Sequence, residues 1–304
     1  MSRRLTSMAA RRFHTDFEAR QSLRLKPQPQ PHQEVRVEVP WGQVAVKVWG
    51  EPGPVPLVAL HDWRDNAASF DQLAPLLNMP LVAIDLPGHG RSSAMPPAAQ
   101  TFSPSNIFTL RYVLRKLGYK QVSLMGHGNG AHVGLLYAGL YPDAVGRLIL
   151  LNAGQSVPSM DMSGRLGALV DSILEQKTIS HFTASSLDQL VSTYQQRGLS
   201  EEASRVLLQR SARKVDGGYI DATAPWLETS AFHNLFQSTE TAVASKVKCP
   251  VLSVEGQQQG VSEISKQVLA KAATSFQQQI VNGSHYSHLE QPEEFATAIN
   301  EFMA

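Results

Sequence analysis

Four short segments hold the residues of this chain best suited to chemistry. They are Leu60-His61-Asp62-Trp63, Asp85-Leu86-Pro87-Gly88-His89-Gly90-Arg91-Ser92, Gly126-His127-Gly128-Asn129-Gly130 and Gly283-Ser284-His285-Tyr286-Ser287-His288-Leu289-Glu290. Histidine can act as a base near neutral pH, and an aspartate can orient or charge it. His285 is the candidate base. One reading pairs it with Asp62 from across the site; the other makes it a buried, hydrogen-bonded structural residue. Metal ligation is not indicated, since His285/His288 and His127/His132 are pairs without a third convergent ligand. Gly126-x-Gly128-x-x-Ala131 satisfies a dinucleotide fingerprint, but Asn152 stands where the ribose-binding acid belongs, and the motif normally opens the first βαβ unit. No cofactor is expected.

Each segment follows a stretch that reads as a strand. Val35, Val37 and Val39 alternate with polar residues, as do Val44, Val46 and Val48, and Pro40-Trp41-Gly42 turns between them: an antiparallel hairpin. Pro56–Leu60 and Leu81–Ile84 are continuous apolar runs, which strands buried on both faces require. Ser69-Phe70-Asp71-Gln72 has the spacing of a capping box opening a helix. Ile107, Leu110, Leu114 and Leu117 form a helical stripe closed by Gly118. Val122–Met125 and Leu148–Leu151 are further strands, and Ala131–Tyr141 is a helix. From Ala153 to about Glu240 the strand signal vanishes, leaving helical segments such as Gly164–Leu174 and Glu201–Arg210. The rhythm resumes at Val251–Val254, Val261–Ala273, Phe276–Val281 and Pro292–Phe302. The expectation is an α/β fold: a mostly parallel eight-stranded sheet, helices on both faces, and a helical cap at about 153–240 inserted after the sixth strand. Sites in such sheets lie beyond the carboxyl ends of the strands, where all four segments fall.

Together the four segments resemble the α/β-hydrolases, in the order oxyanion loop, D-x-P-G-H-G-x-S turn, nucleophile elbow and catalytic histidine. The resemblance covers residues 35–304. It tightens toward the serine hydrolase-like proteins through Val39-Pro40-Trp41-Gly42, Trp63-Arg64-Asp65-Asn66-Ala67-Ala68-Ser69-Phe70 and Leu207-Leu208-Gln209-Arg210. What it implies can be checked residue by residue. Gly126 and Gly130 keep the small-residue frame of the strained elbow, but the serine position is Gly128, which has no side chain to attack a carbonyl. His127 and Asn129 flank the tip and are expected to point elsewhere. Asp62 replaces the usual glycine of the oxyanion loop, and its charge would oppose a developing oxyanion. The acid position after strand six is Asn152, and Gly256-Gln257-Gln258-Gln259-Gly260 after strand seven has no carboxylate; Glu255 or Glu263 would have to be recruited. Only His285 stands where the triad expects it. The implied function is a degenerate hydrolase without ordinary serine esterase activity, binding a small apolar ligand or a partner in a pocket lined by Asp62, Trp63, His127 and Asn129. The alternative is an enzyme that works without a serine, with His285 as general base.

Composition narrows the remaining classes. A net charge of +1 argues against nucleic acid as a partner, and no apolar run is long enough to span a membrane. Cys249 is the one cysteine, so no internal disulfide forms; a small buried thiol is expected. Residues 1–33 read as an N-terminal extension. Arg3, Arg4, Arg11 and Arg12 precede any acid, which fits an organelle transit peptide or a disordered basic tail. Lys26-Pro27-Gln28-Pro29-Gln30-Pro31 then makes a stiff linker, and the domain runs over 34–304. The expected location is intracellular, cytoplasmic or organellar.

Overall fold

The structure is a computed structural model that describes residues 32–96, 103–153, 181–228, 237–256 and 263–304. The hairpin forms as the alternating valines require: β1 (His32–Val39) pairs antiparallel with β2 (Gly42–Trp49), beginning two residues before Glu34. β3 (Leu57–Leu60), β4 (Leu81–Ile84), β5 (Val122–His127), β6 (Val145–Leu151), β9 (Val251–Gly256) and β10 (Phe276–Val281) complete an eight-stranded sheet. Its order is β1-β2-β4-β3-β5-β6-β9-β10, parallel from β4 onward.

The two-residue period of the strands divides the core. Val58, Leu60, Val82, Ile84 and Leu124 face α1 (Ser103–Lys116), whose Ile107, Leu110, Val113 and Leu114 pack with them. Leu57, Ala59, Leu81, Ala83 and Met125 face the other side, with Phe70 and with Phe295 and Ile299 of the C-terminal helix. α2 (Asn129–Leu140) is buried nearly all round, and a Cβ on Gly130 would collide with the carbonyl of Leu60. That close approach sets the helix against the end of β3, directly behind the site.

Two expectations fail. Ser69 caps no helix: residues Ala67–Phe70 form a 3-10 turn capped by Asn66, whose side chain accepts from the Ala68 N–H. Ser69 is instead fully buried with its Oγ 2.8 Å from His288 Nε2. The insertion is not wholly helical either. After α3 (Leu187–Gln195) and α4 (Glu201–Ser211) come β7 (Ala212–Val215) and β8 (Gly218–Asp221), paired antiparallel. Asp216-Gly217 between them is a strong short hairpin signal, outweighed in the sequence by charged, non-alternating flanks. The expected helix Gly164–Leu174 and the basic N-terminal segment lie outside the described residues. No helix among the described residues is long and apolar enough to cross a membrane.

Candidate functional site

The carboxyl ends of β3 and β5 and the turn after β10 meet at one point. At the tip of the β5–α2 turn, Gly128 has φ 51° and ψ −116°, a region glycine enters with little strain. The space in front of it is taken. Asp62 extends from the β3 loop so far that a Cβ on Gly128 would overlap its Cγ and Oδ1. Asp62 Oδ1 accepts the Asn129 backbone N–H at 2.5 Å, and Oδ2 lies 2.8 Å from His285 Nε2. The two residues joined by that second bond are 223 positions apart.

Buried histidines brace the β3 loop. His61 Nε2 accepts the Leu86 N–H at 2.9 Å, so Nδ1 carries the proton and donates it to the Asp62 carbonyl at 2.7 Å. His89 acts likewise, accepting the Arg64 N–H and donating to Pro87 O. Burial pulls His61 to about 4 and His89 to about 3, so both are neutral struts. Arg64 itself is held at φ 62°, which places real strain in this loop.

The cap closes on the same loop. Arg197 Nη2 bonds Asp65 Oδ1 at 2.7 Å, and its guanidinium also reaches the carbonyls of Trp63 and Arg64 and the hydroxyl of Tyr286. Trp63 Nε1 donates to Leu227 O at 3.0 Å, a second tie between loop and cap. A third lies farther out, where Arg210 bonds the buried Asp85 carboxylate and Glu34.

His127 lies beneath the tip, between Asp65 and the turn that carries His285. It is fully buried, its ring 4.5 Å from that of His285 and 3.9 Å from that of His288. Asn129 contributes its backbone N–H; its side-chain nitrogen is buried without a hydrogen-bond partner among the described residues. Asn152, at φ 41°, clasps backbone rather than ring: Nδ2 donates to His285 O at 2.8 Å, and Oδ1 accepts the Gly256 N–H at 2.6 Å.

Electrostatics separate the groups. Burial works to raise the Asp62 carboxyl, but the His285 hydrogen bond, the neighbouring imidazoles and the Asn129 N–H outweigh it and hold the carboxyl well below the usual range. Burial works to lower His285, and the bond to Asp62 with the charge of Asp62 and Asp65 raises it above the ordinary imidazole value. The pair is therefore a carboxylate and an imidazolium over a broad range around weakly acid pH. His127, desolvated and beside His285, is pulled to about 3 and stays neutral. Asp65 is raised by burial, opposed by Arg197.

The histidine spacing gave no reason to expect a metal site; in the fold, Asp62 from the β3 loop joins His127 and His285, and one donor atom of each lies within 4.8 Å of the others. Asp65, Arg197 and Tyr286 escaped the sequence reading as site residues. Asp65 sits within the Trp63–Phe70 motif, but Arg197 had no local signal at all.

Residues 57–298 match the model of the alpha/beta hydrolase family. The chain is 32% identical to a probable serine hydrolase of Drosophila melanogaster, covering 89% of this chain and 87% of that protein. It is 30% identical to human serine hydrolase-like protein 2, covering 89% and 93%. The crystal structure of the hypothetical protein PA1622 from Pseudomonas aeruginosa superposes with a TM-score of 0.77 at 30% identity, over 89% of this chain and 98% of that one. The eight-stranded order, the turn at Gly128 and His285 after the last strand agree with these matches: the chain belongs to the alpha/beta hydrolase family and is similar within it to the serine hydrolase-like proteins.

Proposed function

We propose that this protein is a remodelled member of its family that does not hydrolyse esters through a serine and uses the site beneath the cap to bind a small ligand. One observation carries the reading. Asp62 fills the volume that a side chain at position 128 would need, and bonds both the Asn129 N–H and His285 Nε2. In a working hydrolase those two groups would serve the oxyanion and the nucleophile. Here one carboxylate engages both, so neither is free for acyl transfer. The triple tie of the cap through Arg197, Trp63 and Arg210 supports a retained, covered site rather than an open surface.

The alternative, His285 as general base, meets the same bond. An imidazolium paired with Asp62 has no lone pair at Nε2, so base catalysis requires a pH above its raised value.

The test combines fluorophosphonate labelling, a broad ester panel and native mass spectrometry of the purified chain. No labelling, no turnover and a co-purifying small molecule are expected. Stoichiometric labelling of a defined serine would overturn the reading, and turnover abolished by His285→Ala without labelling would favour the alternative.

A further inference from the structure

We propose that Asp62, His127 and His285, with Asp65 behind His127, form a binding site for a divalent transition ion of the zinc type. The argument begins with the tautomer of His127. Its Nε2 lies 2.9 Å from the carbonyl of His285, which can only accept, so Nε2 carries the hydrogen. Nδ1 of the neutral ring is then a bare lone pair. It is buried and has no hydrogen-bond partner among the described residues. What faces it is Asp65 Oδ2, 3.9 Å away and likewise buried without a hydrogen-bond partner. Two buried polar atoms thus face each other too far apart for a hydrogen bond. A cation lodged there would satisfy both.

The surrounding groups suit that role. A histidine that ligates a metal through one nitrogen commonly donates its other N–H to a backbone carbonyl, as His127 does to His285 O. The second oxygen of each carboxylate is already held, Asp62 Oδ1 by the Asn129 N–H and Asp65 Oδ1 by Arg197. That leaves Oδ2 of each for the ion. Bonds of about 2.0–2.2 Å put neighbouring ligands of a tetrahedral ion about 3.4 Å apart. The observed separations run from 2.8 Å, between Asp62 Oδ2 and His285 Nε2, to at most 4.8 Å among the Asp62, His127 and His285 donors. They bracket the required value for these three protein ligands, and a water molecule or Asp65, 3.9 Å from His127 Nδ1, would complete the tetrahedron. Two imidazoles with a carboxylate favour zinc-like ions over magnesium or calcium, which prefer all-oxygen shells. The ion would replace the proton shared by Asp62 and His285.

This inference rests on the proposed function to the extent that His285 must not be engaged by a side chain at position 128. The experiment separates the two. Chelator-treated full-length protein is titrated with zinc by calorimetry and with Co²⁺ by visible absorption. One ion per chain is expected, with Kd about 1 μM or tighter, and intense cobalt bands of a four-coordinate nitrogen–oxygen site. Asp62→Asn and His285→Gln should each weaken binding by about 10-fold or more, while His181→Gln should not change it. His127→Gln is buried and can unfold, so the cobalt spectrum of the unaltered protein provides the check without any substitution. No binding, binding unaffected by Asp62→Asn, or a weak octahedral cobalt spectrum would overturn the site. Fluorophosphonate labelling of the metal-free chain counts against the proposed function, whereas absent zinc binding without labelling counts against the metal site alone.

Discussion

The carboxylate of Asp62 and the missing side chain of Gly128 are complementary in shape: the first occupies what the second leaves open. The fit also fixes chemistry, because the same carboxylate sits on the Asn129 amide and the His285 ring. Changing either residue should therefore disturb the other's environment.

Removing the charge of Asp62 should change how stability depends on pH. His285 is raised, so its contribution is present below about 6.5 and fades as pH rises through the higher folded value. Asp62 is lowered, so its contribution is present above about 3.9 and fades only as pH falls toward the lower folded value. The pair stabilises most between these limits. Asp62→Asn in metal-free protein should lower Tm most near pH 5–6, with the gap narrowing toward pH 9. An equal gap across that range would mean that the bond does not link to protonation.

Arg197→Met should destabilise by about 3 kcal/mol, because it strands a fully buried Asp65 carboxylate and removes the hydrogen bonds that Arg197 gives the Trp63 and Arg64 carbonyls. Urea unfolding measures this. Asp65→Asn in the same background should recover part of the loss; a purely additive double mutant would show that the two are not coupled.

Asn152→Asp should cost about 2 kcal/mol or more and supply no working acid. Its Nδ2 donates to the backbone oxygens of Ser284 and His285, and a carboxylate there would face two carbonyls. A variant as stable as the parent, with His285 newly activated toward esters, would contradict this account.

The parts of the molecule legible in its sequence are those governed by local sterics and period. Val58 and Ala59 on β3 go to opposite faces, and the small residues around Gly128 permit the turn. What stayed hidden depends on tertiary approach. Ser69 has the spacing of a cap yet bonds His288, 219 positions away. Asp62 was read as a charge near the oxyanion position, but its overlap with the tip of the β5–α2 turn is a matter of ångströms that no spacing encodes. His127 and His285 come within 4.5 Å, ring to ring, because two loops converge, so histidine intervals along the chain gave no sign that Asp62 would join them.

Gly128→Ser alone should not create an esterase, and the reason is first of all steric. The new Cβ must displace Asp62, and a residue with φ 51° and ψ −116° also pays backbone strain on gaining a side chain. A loss of about 1–3 kcal/mol is expected. Even if the hydroxyl enters, Asp62 would still compete for His285 Nε2 and for the Asn129 N–H. Losing one oxyanion donor costs other enzymes about 3–4 kcal/mol, so an occupied Asn129 N–H should depress turnover by roughly 10²–10³-fold. Gly128→Ser with Asp62→Gly removes both obstacles at once. The double variant should recover stability relative to Gly128→Ser and accept a fluorophosphonate at Ser on position 128. On a short-chain aryl ester it should exceed the sum of the two single variants by at least about 100-fold, with His285→Ala abolishing the gain. If Gly128→Ser alone reaches the rate of the double variant, Asp62 moves aside freely and the complementarity of these two residues has no functional weight.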